Sequence, residues 1–144
     1  MIVFDTDIIS ILAGRGNDEA FRNIRIRMSQ CTDERVCVTI ISFEEQMRGW
    51  MSYIAASRTI ARQVEGYARL RWLIQDYRIY ELLDFDAGAA DHFERLRRAK
   101  VKVASMDLKM AAIALTHDAT LVTRNTVHFK LVPGLRIEYW TIPQ

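Results

Sequence analysis

The sequence predicts an α/β protein, with one domain over residues 1–144 built on a central, mostly parallel five-stranded sheet flanked by helices. Three observations support this fold class. The chain has 144 residues, the size of one ordinary domain, and shows no repeat, linker or low-complexity tract. Short apolar runs of strand-forming residues alternate with longer segments of helical periodicity. The runs are apolar along their length, which is typical of parallel strands covered on both faces.

The order of elements follows from these local patterns. The five predicted strands are Ile2–Phe4, Val36–Ile41, Ile79–Leu83, Ala119–Thr123 and Leu135–Tyr139. Residues 43, 47, 50, 51 and 54 are apolar at helical spacing, and an Arg-rich helix is predicted from Ser57 to Arg78. Because no strong strand separates these two helices, we expect them to form a helical hairpin that protrudes from the sheet. Leu108, Ala112 and Leu115 predict a further, alanine-rich helix.

Composition indicates a soluble, cytoplasmic protein. Half of the residues are hydrophobic and 26% are charged, which excludes a disordered chain. The two cysteines, Cys31 and Cys37, give neither a disulfide framework nor a zinc-binding spacing, and favour a reduced compartment. Asp5 and Asp7 interrupt the first apolar run, which argues against a signal peptide, and no run approaches the ~18 residues of a membrane span. Sixteen of the twenty cations are arginine, the residue best suited to phosphate.

Four oxygen-bearing side chains are predicted to meet at one edge of the sheet. Asp5 and Asn125 follow the first and fourth strands, while Glu45 and Asp107 lie in the first turns of two helices. In an open parallel sheet, the carboxyl ends of strands and the starts of the following helices share one edge, where ligands bind. These four residues are therefore the candidate site.

Each residue also has a structural explanation. Ser42 and Glu45 match a capping box, in which the glutamate only completes a helix start. Asp107 lies close to Ser105, the predicted N-cap of its helix, and could simply complement the helix dipole. Asn125 suits a turn, and Asp7 could cap the first helix. Asp5 is harder to explain this way, since a carboxylate at the end of a buried strand is costly unless it is paired or bound to metal.

Crowded carboxylates predict a hard metal ion. Such groups raise one another's pKa unless a cation compensates them. Oxygen ligands without histidine or cysteine select Mg²⁺ or Mn²⁺, which can activate water for attack on a phosphodiester. Arg124, beside the predicted site, suits a phosphate backbone as substrate.

The same residues lie in motifs that resemble a known family. Residues 2–7 (IVFDTD) resemble the opening strand of PIN domains, and residues 42–49 (SFEEQMRG) resemble the second motif, whose functional glutamate stands four before a glycine. That spacing selects Glu45 over Glu44. Residues 106–112 (MDLKMAA) resemble the third motif, and residues 121–140 resemble the closing segment. The ordered set is similar in particular to the VapC-like toxins of bacterial type II toxin–antitoxin modules.

This resemblance implies a Mg²⁺- or Mn²⁺-dependent endoribonuclease, acting on tRNA or other structured RNA and held inactive by a cognate VapB-like antitoxin. By position, Asp5, Glu45 and Asp107 would hold the metal and act in catalysis, with Asn125 as the fourth catalytic residue. The chain departs from the family where many relatives place an acid near His128. The family also implies a homodimer, and an antitoxin tail held by the hairpin, where residues 50, 51, 53 and 54 would line an apolar groove or belong to the core.

Two other functions fit part of the sequence. Residues 3–7 also suit a haloacid-dehalogenase-like phosphohydrolase with Asp5 as nucleophile, but that chemistry needs a lysine and a later acidic pair. The nearest lysine, Lys109, lies inside a predicted helix. A PIN-like binding module without catalytic activity is the second alternative, because of Asn125 and His128.

Overall fold

A five-stranded parallel sheet forms the centre of the molecule. The computed structural model describes residues 1–14 and 16–143. Along the sheet the strands follow the order β3-β2-β1-β4-β5, and all four pairings are parallel. The strands are β1 (Ile2–Phe4), β2 (Val36–Thr39), β3 (Glu81–Leu83), β4 (Thr120–Val122) and β5 (Arg136–Glu138). The helices are α1 (Thr6–Ala13), α2 (Glu19–Gln30), α3 (Ile40–Ala56), α4 (Ile60–Tyr77), α5 (Ala87–Arg98), α6 (Ser105–Thr116) and α7 (Thr126–Phe129).

The predicted α/β fold and its five strands are confirmed, but the predicted starts of α3, α4 and α6 are wrong. The helix predicted from Ser57 begins at Ile60. β2 ends at Thr39, whose hydroxyl accepts a hydrogen bond from the backbone N–H of Ser42 at 3.1 Å and so caps α3. Ser42 is therefore a buried residue inside α3 rather than its N-cap, because the earlier threonine already satisfies the free amide. Ser105 is likewise the first helical residue of α6 and follows the N-cap Ala104.

Two apolar clusters cover the two faces of the sheet. Val3 points into the cluster with α5 and α6, whereas Ile2 and Phe4 point into the cluster with α1, α2 and α4. This alternation is the period of two expected of a strand. Trp140, 1% exposed, contacts Phe4 edge-on and closes the second cluster. The central strands β2, β1 and β4 are buried on both faces, as their apolar runs predicted, whereas the edge strands β3 and β5 are largely exposed.

The predicted helical hairpin is formed by α3 and α4. Near the sheet, Phe43 of α3 and Tyr77 of α4 contact edge-on beside the core. Farther out, Gly66 of α4 packs directly against Ile54 of α3, so closely that a Cβ at Gly66 would overlap the isoleucine side chain. The absence of a side chain at Gly66 thus allows the two helices to pack closely at this point. By contrast, Gly49 of α3 has no described atom within 4 Å of the position of a Cβ.

Two further expectations concern the cysteines and the membrane. Cys31 and Cys37 are both free. In the described residues, no helix combines the length and the apolar character that crossing a membrane requires.

Candidate active site

Asp5 lies at the end of β1 and is the N-cap of α1. Its carboxylate is 7% exposed and accepts hydrogen bonds from the backbone N–H of Thr6 at 2.7 Å and from the hydroxyl of Thr123 at 2.5 Å. Burial raises the pKa of Asp5 from its usual 3.8 to about 6, with further increases from the charges of Asp7 and Asp107. The two hydrogen bonds lower this pKa but do not offset burial.

Glu45 reaches the same region from α3. Its carboxylate accepts a hydrogen bond from the hydroxyl of Thr6 at 2.8 Å. Burial raises the pKa of Glu45, and the negative charge of Asp107 raises it further. The neighbouring Glu44 instead pairs with Arg48, one turn along the exposed side of the helix. The structure therefore directs Glu45, and not Glu44, towards Asp5.

Asp107 and Asn125 complete the group. The side-chain amide of Asn125 donates to the carboxylate of Asp107 at 3.4 Å. Asn125 Oδ1 lies 2.6 Å from Nδ1 of His128, and since that oxygen only accepts, the imidazole nitrogen donates to it. Burial raises the pKa of Asp107, while His128 lowers it. The structure thus brings together all four side chains that the sequence selected.

Thr6 and Thr123 are functional neighbours that sequence reasoning did not single out. Thr6 connects Asp5 to Glu45, donating through its backbone N–H to one and through its hydroxyl to the other. Thr123, fully buried, donates to Asp5 and accepts the backbone N–H of Asn125 at 2.9 Å. The available signal was a threonine one or two residues after the end of each of two apolar strands.

An open cleft of about 600 Å³ lies over three of these four side chains, all except Asp107. Asp5, Asp7, Glu45, Arg124 and Asn125 are among its lining residues. Asp7 accepts the backbone N–H of Arg124 through Oδ2 at 3.2 Å, and its Oδ1 is buried without a hydrogen-bond partner among the described residues. Asp7 therefore lies in the first turn of α1 and holds the loop after β4. The sequence suggested Asp7 as the cap of this helix, but its N-cap is Asp5. The exposed Arg124 is the cation of the cleft, beside the site as predicted.

The donor set fits a hard divalent cation by its chemistry. Asp5, Glu45 and Asp107 offer carboxylate oxygens. Burial raises the pKa of all three, and for Asp5 and Glu45 the negative charge of Asp107 raises it further, an effect that a cation would relieve. Their side chains are held by Thr6, Thr123 and Asn125 rather than drawn to one point. Within residues 1–14 and 16–143, no three His, Cys, Asp or Glu side chains are grouped closely enough to ligate one ion as placed. Binding of one ion by all three carboxylates would require their side chains to rotate.

An aromatic groove adjoins the acidic cleft. It has a volume of about 350 Å³, lies between α1, α3 and α4, and shares Ser10 with the cleft. Trp50 and Tyr53 line it, as predicted for the hairpin. Met51 is instead 53% exposed, and Ile54 packs on α4. Of the four predicted groove residues, two therefore face the groove.

Comparison with known proteins agrees with the geometry. A family model described as the PIN domain matches residues 2–135. The chain is 32% identical over 123 residues to a tRNA(fMet)-specific endonuclease VapC from Salmonella typhimurium, covering 82% of this chain and 84% of the relative. Its fold is similar to VapBC-1 from nontypeable Haemophilus influenzae, with a TM-score of 0.76, 22% identity and coverage of 98% and 99%. DNA-bound VapBC from Salmonella typhimurium gives a TM-score of 0.70 at 26% identity, with coverage of 96% and 97%.

Proposed function

The chain belongs to the PIN-domain family, in its VapC group of ribonuclease toxins, and we propose that it cleaves RNA at the Asp5–Glu45–Asp107 cleft. The observation that carries this assignment is the convergence of three carboxylates from β1, α3 and α6 around the hydrogen bonds of Thr6 and Asn125. Residues so distant in sequence would gain nothing for stability by meeting, since buried carboxylates repel one another. Their convergence therefore indicates a catalytic role.

The roles of the residues follow from their surroundings. Asp5 is the most buried of the three and is held by two donors, so its position is the best defined. Glu45 and Asp107 flank it and would complete a ligand set with it. Asn125 presents its amide hydrogens to Asp107 because its oxygen accepts from His128, so it orients Asp107 and contributes no oxygen as placed.

PIN-domain nucleases depend on a divalent metal, and we propose Mg²⁺ or Mn²⁺ here. When bound, such an ion activates water and stabilises the charge that develops on a phosphodiester during in-line attack. The protein's own part is to hold the three carboxylates in place and to present Arg124 at the mouth of the cleft. A guanidinium there can bind a phosphate oxygen of the substrate.

The substrate class is proposed from the relatives. Because the Salmonella relative is specific for tRNA(fMet), we propose tRNA as the substrate of this chain. Structured RNA also suits an open cleft that can accept a strand from the side, unlike a closed pocket for a small phosphate ester.

The partners are proposed in the same way. Related toxins form complexes with their antitoxins, as in the Haemophilus influenzae VapBC-1 structure, and we propose a VapB-like antitoxin for this chain. The aromatic groove beside the cleft, which includes Trp50 and Tyr53, is the proposed seat of its tail. We also propose a homodimer, and a cytoplasmic location, which the two free cysteines favour.

The lysine that the phosphohydrolase alternative requires is engaged with aromatic rings. The ammonium of Lys109 lies over the rings of Phe85 and Phe93, at 5.7 and 5.9 Å from their centroids, within the α5–α6 layer. A lysine held there does not serve a phospho-aspartate at Asp5, so the ribonuclease assignment is retained.

The direct test is cleavage of purified tRNA by the chain freed of any partner, in Mg²⁺, in Mn²⁺ and in EDTA. We expect discrete products that require metal and are absent with Asp5→Asn or Asp107→Asn. The matched control is Asp84→Asn, an exposed carboxylate outside the cleft, which should cleave normally. A folded chain that binds Mn²⁺ but cleaves no RNA would instead identify a binding module.

A further inference from the structure

A cluster of cations lies at the turn between α5 and α6. Five of the eight residues from 95 to 102 are basic, and all five are exposed: Arg95, Arg97, Arg98, Lys100 and Lys102. We refer to these five residues as the basic turn. The sequence patterns that predicted the fold and the acidic site make no use of it.

The basic turn lies on the active-site edge of the sheet. α5 and α6 run antiparallel, because Gly88 near the start of α5 approaches Thr116 at the end of α6, and Phe93 lies beside Lys109. The end of α5 therefore meets the start of α6. Asp107 lies in the first turn of α6, five residues after Lys102, so the chain between them spans at most ~18 Å.

Most of these cations have no ion-pair partner among the residues that the structure describes. Within the described chain only Arg97 of the five forms a salt bridge, with Glu94 on its own helix. Cations at the opposite edge of the sheet are paired instead: Arg35 with Glu81, and Arg136 with Asp118. The positive charge at the active-site edge is thus available to an external anion.

The backbone conformation of the turn favours glycine at position 100, where the chain has lysine. The N–H of Lys100 donates to the carbonyl of Arg97 at 3.0 Å, and that of Val101 donates to the carbonyl of Leu96 at 3.2 Å. These two bonds form a Schellman motif, whose left-handed residue is usually glycine. Here that residue is Lys100, with φ of 55°. A lysine in this conformation is less stable than glycine, so helix termination does not explain why the charge is there.

We propose that the basic turn binds the phosphate backbone of the RNA substrate and orients the strand towards the acidic cleft. This inference rests on the proposed ribonuclease function. A repeating line of phosphates is the anion that suits several unpaired cations next to one another, at the edge where the scissile bond must lie. Exposed cations on the Asp107 side also offset the repulsion between an acidic cleft and a polyanion.

The test measures RNA binding rather than cleavage. Purified tRNA is titrated, in EDTA, with the cleavage-deficient Asp5→Asn chain between about 50 and 200 mM salt. In that background, Arg98→Gln with Lys100→Gln should reduce the slope of log Kobs against log salt by about 1.4–1.8, the contribution of two phosphate contacts. The matched control is Arg22→Gln with Arg25→Gln, two exposed cations on α2, on the opposite face of the sheet. The control should leave the slope nearly unchanged.

Lys100→Gly separates binding from folding. Glycine relieves the left-handed conformation, so the thermal midpoint should rise by roughly 2–8 °C. The same substitution should reduce the salt slope by about 0.7–0.9. A lysine that served only to end the helix would give the stabilisation without the change in slope, and that result would overturn the proposal.

The outcomes also distinguish this proposal from the proposed function. If the chain cleaves tRNA but the salt slopes of the basic-turn and control variants are equal, the surface is wrong and the ribonuclease assignment stands. If the slope falls as expected while the unsubstituted chain cleaves no RNA in either metal, the surface is supported and the catalytic assignment fails.

Discussion

Replacing Asp5 by asparagine is expected to stabilise the metal-free protein at neutral pH. Burial and neighbouring charges raise the pKa of this carboxyl from 3.8 to about 6. Each pKa unit corresponds to 1.36 kcal/mol, so ionising Asp5 at pH 7 costs the fold about 3 kcal/mol. Asparagine has one acceptor oxygen where the carboxylate receives two donors, and the altered hydrogen bond costs about 1 kcal/mol. The net gain should be about 1–2 kcal/mol.

The pH dependence gives this prediction its sign. Because the folded-state pKa of Asp5 is raised, the native state binds more protons than the unfolded state between pH 3.8 and about 6. The contribution of Asp5 to the free energy of unfolding therefore decreases as pH rises through this window. The advantage of Asp5→Asn should be present at pH 7.5 and absent near pH 4.

Urea unfolding in EDTA at these two pH values measures the effect, with Asp84→Asn as the exposed control. A gain that is the same at both pH values would come from packing and not from ionisation. No gain at pH 7.5 would show that Asp5 is not the buried, crowded carboxylate that the structure describes.

Three further predictions test which of two adjacent glutamates acts in the site, the hydrogen-bond network around it, and the packing of the hairpin. Glu45→Gln should abolish tRNA cleavage, whereas Glu44→Gln, which loses one exposed ion pair, should change kcat/KM and stability little. Equal effects of the two substitutions would refute the choice of Glu45 as the functional glutamate. Thr123→Val removes a buried hydroxyl that donates to Asp5, and should lower the free energy of unfolding in urea by about 1–3 kcal/mol. Because this hydrogen bond lowers the pKa of Asp5, its loss should move the acidic limb of the pH–rate profile to higher pH. An unmoved limb would show that this hydroxyl does not tune the site. Gly66→Ala should lower the free energy of unfolding by about 1–3 kcal/mol through overlap with α3. Gly49→Ala, in open space, should raise it by up to ~1 kcal/mol. Thermal unfolding that ranks them in the reverse order would contradict the packing of the hairpin.

Local patterns were sufficient for the elements and for the four candidate residues. The apolar runs predicted all five strands. In the central strands β2, β1 and β4, burial on both faces leaves a continuous apolar signature, whereas the edge strands β3 and β5 also carry exposed, charged residues. The carboxyl-edge rule then placed Asp5, Glu45, Asp107 and Asn125 together without any three-dimensional information. The structure agrees, since these residues are linked through Thr6 and by direct contact.

Helix starts were less predictable, because several residues can serve as a cap. Both Thr39 and Ser42 have a suitable hydroxyl, and the capping-box pattern favoured Ser42. The structure caps α3 with Thr39, because β2 ends there and the backbone turns before Ser42 is reached. Only the end of the strand, which is set by its pairing with β1 and β3, determines which hydroxyl is used.

By itself, the sequence determined the fold class, the position of each strand and the acidic residues at the end of the sheet. These follow from periodicity and residue type, which are properties of short segments. Tertiary structure alone decided that Thr123 would hold Asp5, that Gly66 would pack closely on α3, and that the basic turn would lie at the active-site edge. Each of these depends on how separate elements pack against one another, which is fixed only when the sheet order and the helix packing bring them together.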